Sequence, residues 1–303
     1  MKVIVTGSTG LVGQALIRSL MSEGHGVTRL VRGGAQTFRA PNSVAVNWDP
    51  ERGQIDAGEL EGHDAAVHLA GEPVAEGRWT DEKKRRILES RVKSTRLLAE
   101  TLASLKDKPK VLVSASATGF YGNRGAEVLV EESASGEDFL SEVCREWEKA
   151  ALAASQAGIR VVHTRIGIVL SGEGGALKKM LTPFKLGVGG RVGSGEQYMS
   201  WITLDDLVGV IRHVIENEHV RGPVNAVAPR AVTNAEFTKA LGHVLGRPTV
   251  LPVPAFAARL AFGEMADAVL LAGARVKPAR LEETGYEFKH TEIEGALRHV
   301  LKK

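Results

Sequence analysis

The chain contains 303 residues, 43% of them hydrophobic, and its net charge of +3 comes from acidic and basic residues that are interspersed along the sequence. A chain of this length can bury one large core or two modest ones, and the mixed charge excludes nucleic acid and membrane surfaces as expected partners. The single cysteine, Cys144, excludes an internal disulfide, and the lack of a long apolar run excludes a membrane span.

The first predicted element is an apolar strand, Val3–Thr6, which runs directly into glycines and then into an amphipathic helix over residues 11–22. Gly7 allows a tight turn off the strand, Gly10 lets the backbone approach a pyrophosphate, and Gly13 lets the helix pack close to the sheet. Free backbone N–H groups and the helix dipole favour an anion at this helix N-terminus. The residues predicted to contact a dinucleotide here are Gly7, Thr9, Gly10, Leu11, Val12 and Gly13. The alternative is a glycine turn that binds no ligand.

The second predicted strand, Gly26–Val31, indicates which dinucleotide to expect. An NAD site needs an acidic residue at the end of this strand to bind the ribose of the adenosine, and the sequence has none there. The strand ends instead in Arg32, whose guanidinium suits a 2′-phosphate. The sequence therefore predicts NADP(H) as the cofactor, with an ordinary surface arginine as the alternative. A glycine-rich loop is predicted to follow.

Strands and helices then alternate as far as Arg165, which predicts βαβ units in a parallel sheet. The further strands are predicted at Ser43–Asn47, Ala65–Leu69, Val111–Ala115 and Arg160–Arg165, with helices over 80–105 and 137–157. The apolar, β-branched runs fit strands that are buried between two helix layers. We expect an α/β protein, a Rossmann fold with a doubly wound parallel sheet.

Glycines interrupt this pattern after Ser171, around a short helix predicted near 176–186. The later predicted elements are the helix Leu204–Glu216, a strand at Asn225–Val227 and helices near 234–245, 254–262 and 265–272. We therefore divide the chain into an NADP-binding Rossmann domain and a smaller, mostly helical substrate-side lobe. The Rossmann domain comprises residues 1–170 and 201–228, and the lobe comprises residues 171–200 and 229–303.

Two segments beyond the glycine turn are predicted to lie beside the cofactor. The fourth strand ends in Leu69, Ala70 and Gly71, a run whose small residues let the backbone lie against the nucleotide. Arg91 on the next helix could reach a phosphate or the ribose, and a solvated helix arginine is the alternative. Ser114, in the fifth strand, is the remaining predicted cofactor contact.

Ordered landmarks along the chain carry a family resemblance. They are the Gly7/Gly10/Gly13 turn, Leu69-Ala70-Gly71, Ser114 to Thr118 with Tyr121-Gly122, Arg165-Ile166-Gly167, and Trp201 to Asp206. They resemble the landmarks of extended short-chain dehydrogenase/reductases of the sugar-nucleotide epimerase/dehydratase kind. Further motifs resemble an epimerase-like subfamily that carries its own short C-terminal domain. These are Asp138-Phe139-Leu140 with Cys144 and Trp147-Glu148, Gly172 to Gly195, Asn234 to Phe237, and the tail from Leu260 through Pro278.

The resemblance implies a catalytic serine at Ser116, where the hydroxyl could bond a substrate carbonyl or alcohol. It also implies a Tyr-x-x-x-Lys pair on the following helix, but that position reads Phe139 and Val143, so the phenol and the ammonium are both replaced by apolar groups. Tyr121 is the nearest phenol and the second predicted catalytic residue. It lies in a loop without a lysine four residues later, and a structural tyrosine is the alternative.

Three further groups of polar residues are interpreted from the sequence. The residues predicted to face a substrate cleft are Lys178, Lys179, Arg191 and Gln197, with solvent exposure as the alternative for each lysine. Asp205 and Asp206 are expected to cap the helix that follows them. The isolated histidines show no metal-ligand spacing, so no metal is predicted.

Two functions are open from the sequence. The first is an NADP(H)-dependent oxidoreductase or epimerase-like enzyme for a small molecule that the sequence does not identify, with Ser116 and Tyr121 near the nicotinamide. The second is a non-catalytic NADP(H)-dependent sensor or partner-binding module. We expect a monomer or homodimer. We also expect a cytoplasmic location, since the first strand begins at Lys2 and leaves no room for a signal peptide.

Overall fold

The structure is a computed structural model of the chain, and it describes residues 1–33 and 43–303. Its strands are β1 (Lys2–Thr6), β2 (Gly26–Val31), β3 (Ser43–Asp49), β4 (Gln54–Ile55), β5 (Ala65–His68), β6 (Val111–Ala117), β7 (Val128–Leu129), β8 (Arg160–Ile166), β9 (Ile168–Leu170), β10 (Tyr198–Met199), β11 (Trp201–Thr203), β12 (Gly222–Ala226), β13 (Val232–Thr233) and β14 (Arg275–Val276). Its α-helices are α1 (Leu11–Ser22), α2 (Asp81–Ser104), α3 (Phe139–Lys149), α4 (Leu152–Gln156), α5 (Gly175–Lys185), α6 (Leu204–Glu216), α7 (Asn234–Leu245), α8 (Ala255–Phe262), α9 (Ala279–Glu283) and α10 (Ile293–Leu301). The glycine-rich loop predicted after β2 lies largely at 34–42, outside the described residues.

The largest sheet has eight strands in the order β12-β8-β6-β5-β1-β2-β3-β4. Neighbouring strands are parallel except for the hairpin of β3 and β4 at one edge. The strand order reverses between β1 and β5, whose carboxyl ends, Thr6 and His68, are paired. The predicted doubly wound α/β sheet is confirmed, and sheets of this kind bind ligands outside the carboxyl ends of their strands at such a reversal.

Helices cover both faces of the sheet because successive strand residues point to opposite sides. On β1, Val3 and Val5 belong to the core formed with α1 and α6, whereas Ile4 belongs to the core formed with α2 and α4. All three side chains are fully buried. Burying an aliphatic side chain of this size contributes about 1.5–3 kcal/mol relative to leaving it exposed, so β1 is anchored from both sides.

The helices near the C-terminus enclose a separate apolar cluster. It includes Leu177 and Phe184 of α5, Phe237 and Leu241 of α7, and Leu297 of α10. These residues recur at helical spacing, as expected for amphipathic helices that cover a core. No helix in the described part of the chain combines the length and apolar character that a bilayer crossing requires.

Some elements differ from the sequence prediction. The helix predicted over 137–157 is two helices, α3 and α4, and residues 266–271 form a π-helical turn. The elements that were not predicted are the short strands β4, β7, β9, β10, β11, β13 and β14 and the helices α9 and α10. Two residues of strand and five of helix are too short to show a hydrophobic period, so β14 and α9 leave no sequence signal.

The C-terminal segment is attached to the sheet domain by contacts along its length. Strand β14 pairs with β7, and Leu281 of α9 is fully buried in the same core as α1 and α6. The Tyr286 hydroxyl donates to the backbone carbonyl of Asp206 at 2.9 Å. The segment therefore completes its hydrophobic burial against residues from the first part of the chain.

We expect residues 229–303 not to fold when expressed alone. The fragment would expose Leu281 and lose the partner strand of β14, and short helices are marginal in water without a packed face. Circular dichroism of the fragment should show no cooperative thermal transition. A cooperative transition would contradict this prediction and would favour an independent C-terminal domain.

Candidate functional site

The turn between β1 and α1 is built from glycines because backbone atoms fill the space that side chains would need. Gly7 has φ of +65°, and a Cβ there would lie 2.7 Å from the carbonyl carbon and oxygen of Leu69. A Cβ on Gly13 would lie 2.3 Å from the carbonyl oxygen of Gly7. Neither position accepts a larger residue unless the backbone moves.

The N-terminus of α1 is open in front of this turn. Gly10 precedes the helix and supplies no capping side chain, and the first turn contains no acidic residue. A Cβ on Gly10 would have one described heavy atom within 4 Å, the Gly7 carbonyl oxygen at 3.3 Å. The first N–H groups of a helix have no partner within it, and together with the helix dipole they bind anions. The geometry fits the pyrophosphate of a dinucleotide.

Thr6 and His68 fasten the carboxyl ends of β1 and β5 together beneath the turn. The Thr6 hydroxyl oxygen accepts the backbone N–H groups of Leu69 and Ala70 at 3.1 and 3.2 Å, and it lies 2.8 Å from His68 Nδ1. His68 Nε2 lies 3.2 Å from the Ser94 hydroxyl, which itself donates to a backbone carbonyl. This network assigns the proton of His68 to Nε2, so that Nδ1 accepts from Thr6.

Acid is expected to destabilise the protein through His68. Burial, with a smaller contribution from the charge of Arg91, lowers the pKa of His68 to about 3 from an ordinary value of 6.5. Above pH 6.5 the imidazole is neutral in both the folded and the unfolded chain. Below it only the unfolded chain takes up the proton, so this residue removes up to about 1.4 kcal/mol of unfolding free energy per pH unit.

Denaturant unfolding between about pH 7 and pH 5 measures this effect. The loss of stability with falling pH should be shallower in His68→Gln than in the wild type. The exposed histidine His219 provides the control, and His219→Gln should keep the wild-type slope. Parallel slopes for the wild type and His68→Gln would show that His68 is not the group responsible.

Arg32 lies on the same edge of the sheet as the glycine turn. Strands β1 and β2 are parallel with Thr6 opposite Leu30, so Arg32 follows two residues beyond that pair. Its side chain is exposed. Its positive charge also helps to lower the pKa of Glu72, for which a hydrogen bond from Lys83 is the main cause. Arg32 therefore lies near the segments that follow both β1 and β5.

Arg91 is held in place and is not the solvated helix arginine of the alternative interpretation. Its Nη1 donates to the backbone carbonyls of Glu72 and Ile87, both at 3.0 Å, and its guanidinium carbon lies 4.9 Å from the centroid of the Trp147 ring. A Cβ on Gly71 would lie 3.2 Å from the same guanidinium carbon. Burial lowers the pKa of Arg91 to about 10, so the side chain is still charged at neutral pH.

A cleft of about 350 Å³ opens at the carboxyl ends of β6 and β8. Ala117 and Thr118 line it where β6 ends, Ile166 and Gly167 line it where β8 ends, and Arg91 borders it. Further lining comes from α3 and from residues 198–200, 268–269 and 272–274. Pockets for small molecules have volumes of about 300–1,000 Å³, so the cleft is large enough for one.

The side of α3 that lines the cleft is apolar where the family resemblance implies a tyrosine and a lysine. Leu140, Val143 and Cys144 all line the cleft, whereas Phe139 packs edge-on against Trp79 with ring centroids 5.3 Å apart. Of the pair Phe139 and Val143 named from the sequence, Val143 therefore lines the cleft, and Phe139 is not among the described lining residues. The Cys144 thiol supplies no charge at neutral pH, because burial raises its pKa to about 11.

The two predicted catalytic residues, Ser116 and Tyr121, share a buried polar network. The Ser116 hydroxyl donates to Glu148 Oε1 at 2.7 Å, and the Glu148 carboxylate accepts from Arg165 Nε and Nη2 at 2.9 and 3.0 Å. The Tyr121 hydroxyl donates to Asn225 at 2.7 Å and accepts from Arg165 at 3.0 Å. Burial raises the pKa of Tyr121 above its ordinary value. Neither residue is among the described residues that line the cleft, and their catalytic roles stay predictions.

Most of the other predicted side chains donate hydrogen bonds to backbone carbonyls. Ser114 is fully buried in β6. Lys178 and Lys179 donate to the carbonyls of Glu173 and Ala75, and the Gln197 amide donates to the carbonyls of Val192 and Leu270. The described lining of the cleft includes none of these residues, nor Arg191.

Sequence reasoning did not assign Tyr198 and Asp138 to the cleft, yet both residues line it. Asp138 caps α3 by accepting from the backbone N–H of Ser141 at 2.8 Å. The Tyr198 ring lies 5.1 Å from the guanidinium carbon of Arg275. The chain has only three tyrosines, and Tyr198 follows the glycine-rich segment predicted to face the cleft, so composition and position together could have identified it.

Two family descriptions match the chain. Residues 3–227 match the NAD dependent epimerase/dehydratase family, and residues 253–300 match a domain of unknown function, DUF1731. A curated relative, the Epimerase family protein Mb2239 from Mycobacterium bovis, is 43% identical over 299 residues, which cover 98% of this chain and 97% of the relative.

Two solved structures are similar over almost the whole chain. One is human epimerase family protein SDR39U1 (isoform 2) with NADPH, at a TM-score of 0.89 and 35% identity, with all of both chains covered. The other is the nucleoside-diphosphate sugar epimerase from Corynebacterium glutamicum, at a TM-score of 0.80 and 41% identity. That alignment covers 99% of this chain and 58% of the Corynebacterium chain.

Proposed function

This chain belongs to the NAD dependent epimerase/dehydratase family, and from that membership we propose that it binds NADP(H) at the glycine turn and acts on a small molecule in the adjoining cleft. The observation that carries the proposal is the uncapped N-terminus of α1, with Arg32 on the same edge of the sheet. The human relative solved with NADPH supports the choice of cofactor. The family resemblance inferred from the ordered landmarks is confirmed.

Five of the predicted cofactor contacts have a stated role in this proposal. The backbone N–H groups of Leu11 and Val12 bind the pyrophosphate, and Arg32 binds the 2′-phosphate. Leu69 and Ala70, fixed by the Thr6 hydroxyl, present backbone to the nucleotide. The bound nicotinamide supplies or accepts a hydride.

Gly10→Asp tests the anion site without removing a structural contact. Gly10 has φ of −76°, which any residue adopts, and aspartate is a favourable N-cap, so helix α1 should be as stable as before or more stable by a few tenths of a kcal/mol. The new carboxylate would occupy the position of the pyrophosphate and repel it. Calorimetric titration should show NADPH binding weakened by more than about tenfold, which corresponds to about 1.4 kcal/mol.

Gly295→Asp is the matched control for Gly10→Asp. It adds the same charge on α10, where no described heavy atom lies within 4 Å of the new Cβ, and NADPH affinity should not change. Wild-type affinity in Gly10→Asp, with its thermal stability retained, would show that the cofactor is not bound at this turn.

For the reaction, we propose an oxidoreductase or epimerase-like step in which the proton is exchanged by a group other than the family's tyrosine. Leu140 and Cys144 offer neither a phenol nor an ammonium where the cleft meets α3. Tyr198 is the candidate that the cleft geometry adds, and its phenol can donate to a substrate carbonyl oxygen or accept from an alcohol. Ser116 and Tyr121 could take part only after giving up the hydrogen bonds to Glu148 and Asn225.

An assay of NADPH oxidation and epimerisation over carbonyl compounds and nucleotide sugars tests this chemistry. We expect turnover of ordinary nucleotide sugars to be undetectable or very slow. For any substrate that does react, Tyr198→Phe should lower the rate by about 10²–10⁴, the usual contribution of a positioned acid or base. Robust epimerisation by Tyr198→Phe, Ser116→Ala and Tyr121→Phe alike would contradict every assignment made here. Thermal melts of the three variants separate lost chemistry from lost folding.

The second candidate function is a non-catalytic NADP(H)-dependent sensor or partner-binding module. The observation that favours it is the apolar pair Leu140 and Cys144, together with a cleft wall formed by residues 268–269 and 272–274 near the C-terminus. Cofactor occupancy would then order that wall. Complete inactivity across the panel with intact NADPH binding would favour this function over the enzyme.

A further inference from the structure

Three metal-ligating side chains meet at the start of α6, outside the cleft. Asp205 lies in the first turn of that helix, His290 precedes α10, and His299 lies within α10. His299 Nε2 is 2.7 Å from Asp205 Oδ2. One ligand atom from each of the three residues lies within 4.8 Å of the other two. The sequence shows no metal-ligand spacing here because the fold brings the residues together from separate elements.

The backbone that carries His290 is fixed by the residue next to Asp205. The buried Asp206 carboxylate accepts the backbone N–H groups of Lys289 and His290 at 2.8 and 3.1 Å. Asp206 is fixed in turn by the Thr203 hydroxyl, which donates to Oδ2 at 2.9 Å. The positions of His290 and Asp205 relative to each other are therefore set by a hydrogen-bonded core and not by a free loop.

The two imidazoles and the carboxylate match the ligand chemistry of zinc. The rings of His290 and His299 have centroids 4.3 Å apart and planes inclined by 31°. A tetrahedral Zn²⁺ bound to nitrogen and oxygen at about 2.0–2.2 Å requires ligand atoms about 3.3–3.6 Å apart. Small rotations of the three side chains would bring their ligand atoms to the spacing that tetrahedral zinc requires. The metal ion would then replace the hydrogen bond between His299 and Asp205.

We propose that Asp205, His290 and His299 bind one divalent transition-metal ion of the zinc type. The donor set of two imidazole nitrogens and one carboxylate oxygen suits such ions better than Mg²⁺ or Ca²⁺, which prefer oxygen ligands. The fourth coordination position is open to water. Asp205 and His299 also line a cavity of about 830 Å³, whose other charged lining residues are one acidic residue, Glu173, and four basic ones, Arg18, Lys185, Lys289 and Lys302. The excess of positive charge favours an anion as a further ligand at the open position. The ion ties the C-terminal helix α10 to α6 of the sheet domain.

Zinc uptake by the full-length chain without a histidine tag tests the proposal. After exposure to Zn²⁺ and removal of the excess, elemental analysis should find one Zn²⁺ per chain, and thermal melts should shift upward with Zn²⁺ but not with Mg²⁺. His290→Gln and His299→Gln should each weaken Zn²⁺ binding by more than about tenfold and abolish the shift. Two variants are used because each histidine lies on a different segment.

His243→Gln is the matched control. His243 is an exposed histidine that faces a single carboxylate, Glu294, with His243 Nε2 3.7 Å from Glu294 Oε1. It should retain wild-type zinc uptake and the wild-type shift. Uptake of less than one equivalent by the wild type, uptake that persists in both His290→Gln and His299→Gln, or an equal loss in His243→Gln would each overturn the proposal.

Discussion

Replacing Glu148 by alanine is expected to lower the free energy of unfolding by about 3–5 kcal/mol, the usual effect of breaking a buried ion pair. The Arg165 side chain is 4% exposed and the Glu148 side chain 14%. Burial alone would lower the pKa of Arg165, but the hydrogen bond and charge of Glu148 raise it above its ordinary value, so the guanidinium stays charged. Without Glu148 this buried guanidinium would lose the carboxylate that its Nε and Nη2 bind.

Glu146→Ala is the control on the same helix. Glu146 is 43% exposed and lies 4.0 Å from Lys149, so its loss should change stability by less than about 1 kcal/mol. Denaturant unfolding compares the two variants. The double variant Glu148→Leu with Arg165→Met should recover part of the loss, because it removes the unpaired charge as well as the pair. Equal stability of Glu148→Ala and Glu146→Ala would contradict this account.

The elements around the cofactor site could be predicted because their signals are local. Strand β2 has the predicted bounds, Gly26–Val31, and β1 differs from prediction by one residue. In both strands an apolar run ends at turn-forming residues, and neither depends on distant parts of the chain. The position of Arg32 follows from β2 alone once the sheet is parallel. The glycine turn could also be predicted, because the path of the backbone itself requires glycine at these positions.

The surroundings of the predicted catalytic residues could not be derived in the same way. The hydrogen bond of Tyr121 joins residues that are 104 positions apart, and that of Ser116 joins residues 32 positions apart. Motif positions indicate where a hydroxyl lies along a strand, but not whether another side chain already binds it. Only tertiary packing brings Glu148 and Arg165 to those hydroxyls.

Tertiary packing also determines which side of α3 faces the cleft. The apolar residues between 139 and 147 form two adjacent stripes at helical spacing, 139/143/147 and 140/144, so the sequence permits more than one rotation of the helix against the sheet. With Phe139 packed edge-on against Trp79, the helix presents Leu140, Val143 and Cys144 to the cleft. None of these three side chains carries a phenol or an ammonium, so the inference from the sequence is unchanged.

Arg32 is expected to make NADPH bind more tightly than NADH by about ten- to several-hundred-fold. One or two charge-assisted hydrogen bonds to the 2′-phosphate, at about 1.5–3 kcal/mol each, account for a preference of this size. The side chain is exposed at the carboxyl end of β2, where no acidic residue takes its place. Since NADH lacks the 2′-phosphate, its affinity should not depend on this guanidinium.

Arg32→Ala should therefore weaken NADPH binding to about the affinity for NADH and leave NADH binding nearly unchanged, as measured by calorimetric titration with each cofactor. Arg247→Ala, which removes an exposed arginine after α7, controls for the loss of one positive charge and should leave both affinities as in the wild type. Higher salt should reduce the preference of the wild type, because an exposed ion pair is screened. Equal affinities of the wild type for NADPH and NADH, or NADPH binding that Arg32→Ala does not weaken, would assign the 2′-phosphate to another residue or exclude NADP(H) as the preferred cofactor.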